Sequence, residues 1–156
     1  MSVEKRVVIC FGCGGHSEQA NRVVSGLCKR TEFFSITDKG NQPVWSIEHL
    51  ETGHIRDKYS GKLISFAAIM KSFISIYRFM SRNKINCVIS TGPGVSVAVA
   101  LVARIMNVKV VHIESWSRFY SLSNTGKIMK YISHVFIYQN HTLKNLSGKG
   151  KYFGRL

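Results

Sequence analysis

Three short stretches hold most of the side chains able to do chemistry. The first is Gly12, Cys13, Gly14, Gly15 and His16. Glycines allow turns and a close approach of backbone to ligand that a Cβ would obstruct, and a helix beginning just after them offers unpaired N–H groups to an anion. A diphosphate is the natural guest, with a tight turn needed only for packing as the plainer alternative. His16 has an intrinsic pKa near neutrality. It suits proton acceptance from a hydroxyl nucleophile, phosphate contact when protonated, or simply a hydrogen bond that closes its own loop.

The second stretch, Thr91, Gly92, Pro93 and Gly94, is a compact loop, rigid at the proline and open at the glycines. It serves equally as a strand-to-helix turn or as a substrate contact. The third begins at Glu114, the only acid after Asp57, and continues through Ser115, Ser117, Arg118, Ser121, Ser123, Asn124, Thr125 and Lys127. Such a run of hydroxyls and cations suits sugar or phosphate recognition, and it also suits helix capping. Glu114 is placed either to orient a sugar hydroxyl or to pair with Arg118.

Other chemistries lack their residues. The first loop reads G-x-G-G-H rather than the G-x-G-x-x-G of nicotinamide enzymes, although Asp38 stands near the end of the second strand, where a ribose-binding acid would lie. A dinucleotide-binding oxidoreductase is therefore a weaker alternative. No Ser-His-Asp signature is present, His49 and His54 are isolated, and no His, Cys and Asp set has ligand spacing, so no metal and no permanently bound cofactor are expected. Cys10, Cys13, Cys28 and Cys87 fit neither a metal motif nor a disulfide scaffold and are expected to be reduced and mostly buried.

The elements around these stretches alternate. Residues 7–11 form an apolar run suited to a strand buried on both faces, and 17–29 place Ala20, Val23, Val24 and Leu27 on one helical face. A second strand is expected at 32–37 and a short one at 44–47, within a long irregular segment at 38–57. Residues 62–82 read as a helix whose polar stripe, Lys71, Ser75, Arg78 and Arg82, is narrow. Its apolar surface is broader than one packed face needs. A strand at 87–90, a helix at 95–106 with Ala98, Val102 and Ile105 toward the sheet, a strand at 108–113, a helix at 124–132 and a strand at 135–138 follow. This order predicts one α/β domain with a Rossmann-like, doubly wound, mostly parallel sheet, whose ligands bind at the carboxyl edge where all three stretches fall.

The 156 residues suit a single domain, and 22 Lys and Arg against 8 Asp and Glu give a net charge of +14. Nucleic acid, an anionic membrane or a phosphate-rich molecule all satisfy that charge. A basic nucleic-acid-binding module is thus an alternative, but no RNP aromatic pair, KH loop or helix-turn-helix signature supports it. The first residues hold too short an apolar run for a signal peptide or membrane span, which predicts a cytoplasmic chain.

Three motifs in this order, GCGGHSEQA at 12–20, ISTGPGVSVAVALVAR at 89–104 and VHIESWSRFYSLSNTGKIMKYISHVFIYQ at 111–139, resemble bacterial capsular and exopolysaccharide biosynthesis proteins. Those proteins are related to the membrane subunit of the eukaryotic lipid-linked N-acetylglucosamine transferase. The resemblance implies the N-terminal, acceptor-side half of a GT-B glycosyltransferase of the lipid II-forming type. It further implies a separate donor-binding subunit holding most of a UDP-sugar, a polyprenyl-diphosphate-linked saccharide as acceptor, and peripheral attachment to the anionic cytoplasmic face of the cell membrane. The isolated chain would then be inactive.

Carried over by position, Gly14, Gly15 and His16 match the family's Gly-Gly-His loop near the acceptor phosphate and hydroxyl. Thr91, Gly92, Pro93 and Gly94 match its second glycine loop. Glu114, Ser115, Arg118, Leu122, Ser123, Thr125, Gly126 and Lys127 match its third motif. His16 is the first candidate for base or phosphate contact and Glu114 the second, for hydroxyl orientation. Cys13 replaces a common serine, and Asn140 stands where a tryptophan often follows the glutamine.

Overall fold

The computed structural model describes residues 5–27, 30–52 and 66–156. Among these residues seven strands, β1 (Lys5–Cys10), β2 (Thr31–Thr37), β3 (His49–Glu51), β4 (Cys87–Ser90), β5 (Lys109–Ile113), β6 (Val135–Tyr138) and β7 (Lys151–Tyr152), form one sheet in the order β3-β2-β1-β4-β5-β6-β7. Every pairing is parallel, as the near-continuous apolar runs require.

Alternation along the strands assigns each side chain to a face. Val7, Ile9 and Phe11 pack with Phe33, Ile89 and Ile113 under Ala20 and Val23 of α1 (Gly15–Gly26). On the opposite face, Val8, Cys10, Phe34, Ile36, Val88, Val110 and Phe136 meet α2 (Phe66–Arg82), α3 (Val95–Ile105) and α4 (Asn124–Ile132). Fully buried Val8 and Ile9 each lie in a core of their own. Removing such a side chain to alanine costs ~2–5 kcal/mol.

After β3 the chain crosses to the other side of β1, so the winding direction reverses between β1 and β4. In parallel α/β sheets ligands bind beside such a reversal, outside the carboxyl ends of the strands. The loops leaving β1 and β4 there begin at Phe11 and Thr91.

Several boundaries differ from expectation. No strand forms at 44–47, where Val44 and Ile47 are exposed; instead, His49–Glu51 pairs with β2, and Ile47 N donates to Phe33 O just before it. The first helix starts at Gly15, two residues early, because Ser17 N and Glu18 N already bond Gly14 O; it ends at Gly26, which leaves Leu27 exposed. Ile105, expected to face the sheet, is 75% exposed; the buried face of the last turn is instead made by Val102 and Ala103, which join the core cluster. Helix α2 is described from Phe66; residues 62–65 of the expected helix, His54 and Cys28 lie outside the described residues. Cys10 is buried, but Cys13 is exposed at the site loop, contrary to a mostly buried set.

Candidate functional site

The loops leaving β1 and β4 interlock. Gly14 adopts φ 70°, ψ −127°, a backbone state open to glycine, and this turns the chain into α1 with no side chain capping its first amides. A Cβ on Gly12 would sit 3.2 Å from Pro93 Cβ. Gly92, at φ 111°, lies so close to His16 that a Cβ would be 2.9 Å from the ring's Cε1. His16 Nδ1 is 2.5 Å from Thr91 O, and Thr91 Oγ1 donates to His16 O at 3.0 Å.

This pair fixes the histidine's tautomer. A carbonyl oxygen only accepts, so Nδ1 carries the proton and the neutral ring keeps its lone pair on Nε2. His16 is thereby bonded into its neighbouring loop and still able to take a proton.

Behind the loops, the sheet contributes a polar chain that sequence reasoning missed. Ser90 Oγ donates to Ser96 Oγ at 2.6 Å, Ser96 approaches Cys10 Sγ at 3.4 Å, and Gly92 N donates to Ser90 Oγ at 3.2 Å. With its own hydrogen spent, Ser90 Oγ can only accept from His112 Nδ1, 3.1 Å away. His112 is fully buried, stacks on Phe136 and has its pKa pushed down to about 3, first by burial and then by the charge of His16. It stays neutral at any working pH. Burial likewise raises the Cys10 thiol to about 12, against a lowering by Ser96, so Cys10 is not a nucleophile. Ser90 and His112 inside apolar strands and Ser96 inside an apolar helix carry no sequence signal beyond the elements themselves.

Glu114, just after β5, is also fully buried, and its carboxylate reaches the start of α4. Oε1 accepts from Ser115 N at 2.9 Å, and Oε2 accepts from Ser123 N and Ser123 Oγ, each at 3.2 Å. Ser123 Oγ in turn caps Gly126 N at 2.8 Å. A Cβ on Gly126 would fall 1.8 Å from Glu114 Oε2, so the glycine makes room for the carboxylate. The negative charge meets the positive end of the helix and holds the third loop against it. Glu114 does not pair with Arg118.

His16, Gly92, Ser115, Ser117, Arg118, Ser123, Asn124 and Thr125 line one cleft of about 270 Å³. All three motifs thus contribute to a single space. Gly12, Thr91 and Pro93 are buried beneath it, Gly14, Gly15 and Gly94 are exposed at the helix starts, and Lys127 is exposed on α4 without lining the cleft. Trp116, to which sequence reasoning gave no part, has Nε1 3.8 Å from where a Gly15 Cβ would stand, with the Arg22 guanidinium 4.9 Å above its ring. A larger open groove of about 700 Å³ between β3 and α2 holds none of the motifs. Among the described residues no three His, Cys, Asp or Glu side chains are grouped to hold a metal, and His49 bonds Ser35, Thr37 and Gly40 O instead.

The model of the family described as "Oligosaccharide biosynthesis protein Alg14 like" matches residues 7–156. The chain belongs to the Alg14-like family. It is 27% identical to the UDP-N-acetylglucosamine transferase subunit ALG14 of Mus musculus, over 97% of this chain and 82% of that protein. To the ALG14 subunit of Homo sapiens it is 35% identical, over 96% of this chain and 82% of that one.

Among solved structures, Acinetobacter baumannii MurG superposes with a TM-score of 0.67 at 17% identity, covering 88% of this Alg14-like chain and 42% of MurG. A UDP-GlcNAc 2-epimerase from Neisseria meningitidis bound to UDP-GlcNAc gives 0.67 at 15%, covering 96% and 46%. The chain therefore spans less than half of each of these proteins, and they share its Rossmann-like fold. The nucleic-acid and nicotinamide alternatives receive no support from these relatives.

Proposed function

We propose that this Alg14-like chain is the acceptor-binding subunit of a two-component glycosyltransferase, which moves a sugar from a UDP-sugar to a polyprenyl-diphosphate-linked saccharide in capsule or exopolysaccharide synthesis. The observation that carries this reading is the convergence of the three loop motifs on one cleft at the carboxyl edge of the sheet, where His16 Nε2 has no hydrogen-bond partner among the described residues. That the relatives are named as subunits of a UDP-N-acetylglucosamine transferase also favours a second subunit for the donor.

In this reading the lipid's diphosphate lies against the uncapped amides at the start of α1 and beside Arg118; Gly14 and Gly15 let it approach that backbone, while Gly12 and the Thr91–Gly94 loop pack against each other and hold His16. Ser115 and Ser123 contribute polar rim, and Lys127 adds long-range positive charge. The acceptor hydroxyl gives its proton to His16 Nε2 as its oxygen attacks the sugar's anomeric carbon. The bond from that carbon to the nucleotide's phosphate oxygen breaks, and its electron pair leaves with UDP. Thr91 O steadies the imidazolium through Nδ1–H. Glu114, its carboxylate spent on three donors, acts by positioning the third loop.

Helix α2 suits membrane attachment. Phe66, Met70, Ile74 and Tyr77 are exposed along one face, and Lys71 and Arg78 are exposed beside it. No helix among the described residues is long and apolar enough to cross a bilayer. An apolar stripe flanked by cations favours peripheral binding to an anionic, cytoplasmic leaflet.

The test is co-purification with the product of the neighbouring gene, followed by sugar transfer from labelled UDP-sugar to lipid acceptors in membranes. Transfer that needs both proteins is expected. Full activity from the chain alone, or none from any stable pair, overturns the reading.

A further inference from the structure

The third loop, residues 114–122, contributes Ser115, Ser117 and Arg118 to the cleft yet belongs to no helix or strand. Its backbone is held from one side by the residues that leave β6. Gln139 Nε2 donates to Glu114 O at 2.9 Å, and Asn140 Nδ2 donates to both Trp116 O at 2.9 Å and Arg118 O at 2.5 Å. Thr142 Oγ1 donates to Phe119 O. Four carbonyls of one loop thus end on three nearly consecutive side chains.

Asn140 is the centre of this arrangement. Its amide group has two N–H donors, and each reaches a different carbonyl; only the nitrogen can face two acceptors, so the orientation of the amide is settled. The side chain is buried at 8% exposure. Trp116 O has one other donor, Arg155 Nη2 at 3.4 Å, whereas Arg118 O has no other side-chain donor among the described residues. Between the two clamped carbonyls stands Ser117, whose Oγ bonds Ser115 Oγ at 2.9 Å. All of Ser115, Ser117 and Arg118 line the cleft.

We propose that Asn140 is the positioning residue of the acceptor cleft: by fixing the carbonyls of Trp116 and Arg118 it aims the Arg118 guanidinium and the Ser115–Ser117 hydroxyl pair at a diphosphate-bearing ligand. This rests on the preceding reading that the cleft takes a diphosphate.

Asn140→Asp keeps the shape but removes both donors and turns a carboxylate toward two carbonyls; Asn140→Ala removes the donors without that repulsion. Both are compared with the intact full chain by hydrogen exchange and by calorimetric binding of inorganic pyrophosphate. Faster exchange across 115–122 is expected in both variants, with pyrophosphate binding weakened about tenfold, as one lost hydrogen bond to a charged-ligand site would do. The thermal midpoint should fall by a few degrees, more in Asn140→Asp than in Asn140→Ala, while exchange in β1 and β4 should quicken only by that common loss and much less than across 115–122.

Unchanged exchange across 115–122 in Asn140→Ala overturns the clamp, whatever the enzyme does. Faster exchange with unchanged pyrophosphate affinity overturns the link between clamp and ligand. If the intact chain fails to bind pyrophosphate, the diphosphate assignment falls and this proposal with it, whereas failure of sugar transfer alone counts only against the reaction.

Discussion

Replacing Gly92 with alanine tests the packing that holds His16 in place. Two costs arise at this position. Gly92 has φ 111°, a backbone state that costs an L-residue about 1–3 kcal/mol. The added Cβ would also stand 2.9 Å from His16 Cε1 and 3.4 Å from Nδ1. Because His16 Nδ1 is held at 2.5 Å from Thr91 O, the ring cannot retreat without loosening that bond, which is worth ~0.5–1.5 kcal/mol. Together these predict a stability loss of about 2–4 kcal/mol in urea unfolding. A shift of the ring approaching an ångström predicts roughly a hundredfold loss of transfer in the paired enzyme. The decisive comparison is a double-mutant cycle. Removing the ring with His16→Ala relieves the steric part, so Gly92→Ala should cost about 1 kcal/mol less in that background. Additive losses, or a Gly92→Ala chain as stable and active as the original, would refute the account of this contact.

Glu114→Gln replaces an acceptor-only carboxylate with a group whose NH2 must face either Ser115 N or Ser123 N, so a loss of about 2–4 kcal/mol is expected in chemical unfolding. A cost below 1 kcal/mol would show that the charge does not hold the third loop. Lys84 follows the end of α2 at φ 50°, with Ile85 N bonded to Met80 O, so Lys84→Gly should raise stability by ~0.5–1 kcal/mol. His112 has a folded-state pKa of about 3 against an ordinary 6.5, so the unfolded chain binds the extra proton first. Its contribution is fully present above pH 6.5 and is lost as pH falls toward 3; His112→Gln should flatten that part of the stability profile.

The fold was legible because its strands are apolar runs punctuated by glycine, and their order dictates where the carboxyl edge lies. Runs such as 7–11 and 108–113 identified themselves. The short strand His49–Glu51 did not, since His49 and Glu51 carry polar groups and its place depends on bonds to β2. Of the site, the residues that speak through type and spacing were readable: the glycines, His16, the acid at a strand end. The parts that depend on tertiary placement were not. Nothing in the residue types said that Glu114 would be buried against Gly126, that His112 would reach Gly92 through Ser90, or that Asn140 would bridge two carbonyls of a loop more than twenty residues earlier. Each relation joins positions distant in sequence, so each had to wait for the packing.

The most direct test of the central claim is the rate of transfer by His16→Asn, paired with its partner. Asparagine can place an N–H where Nδ1–H meets Thr91 O, so the loop is preserved, but it offers no basic nitrogen in place of Nε2. The account predicts a fall in turnover of roughly 10²–10⁴-fold with pairing and acceptor KM retained. Turnover within about threefold of the original chain, less than one unit of ~1.4 kcal/mol in barrier, would contradict it.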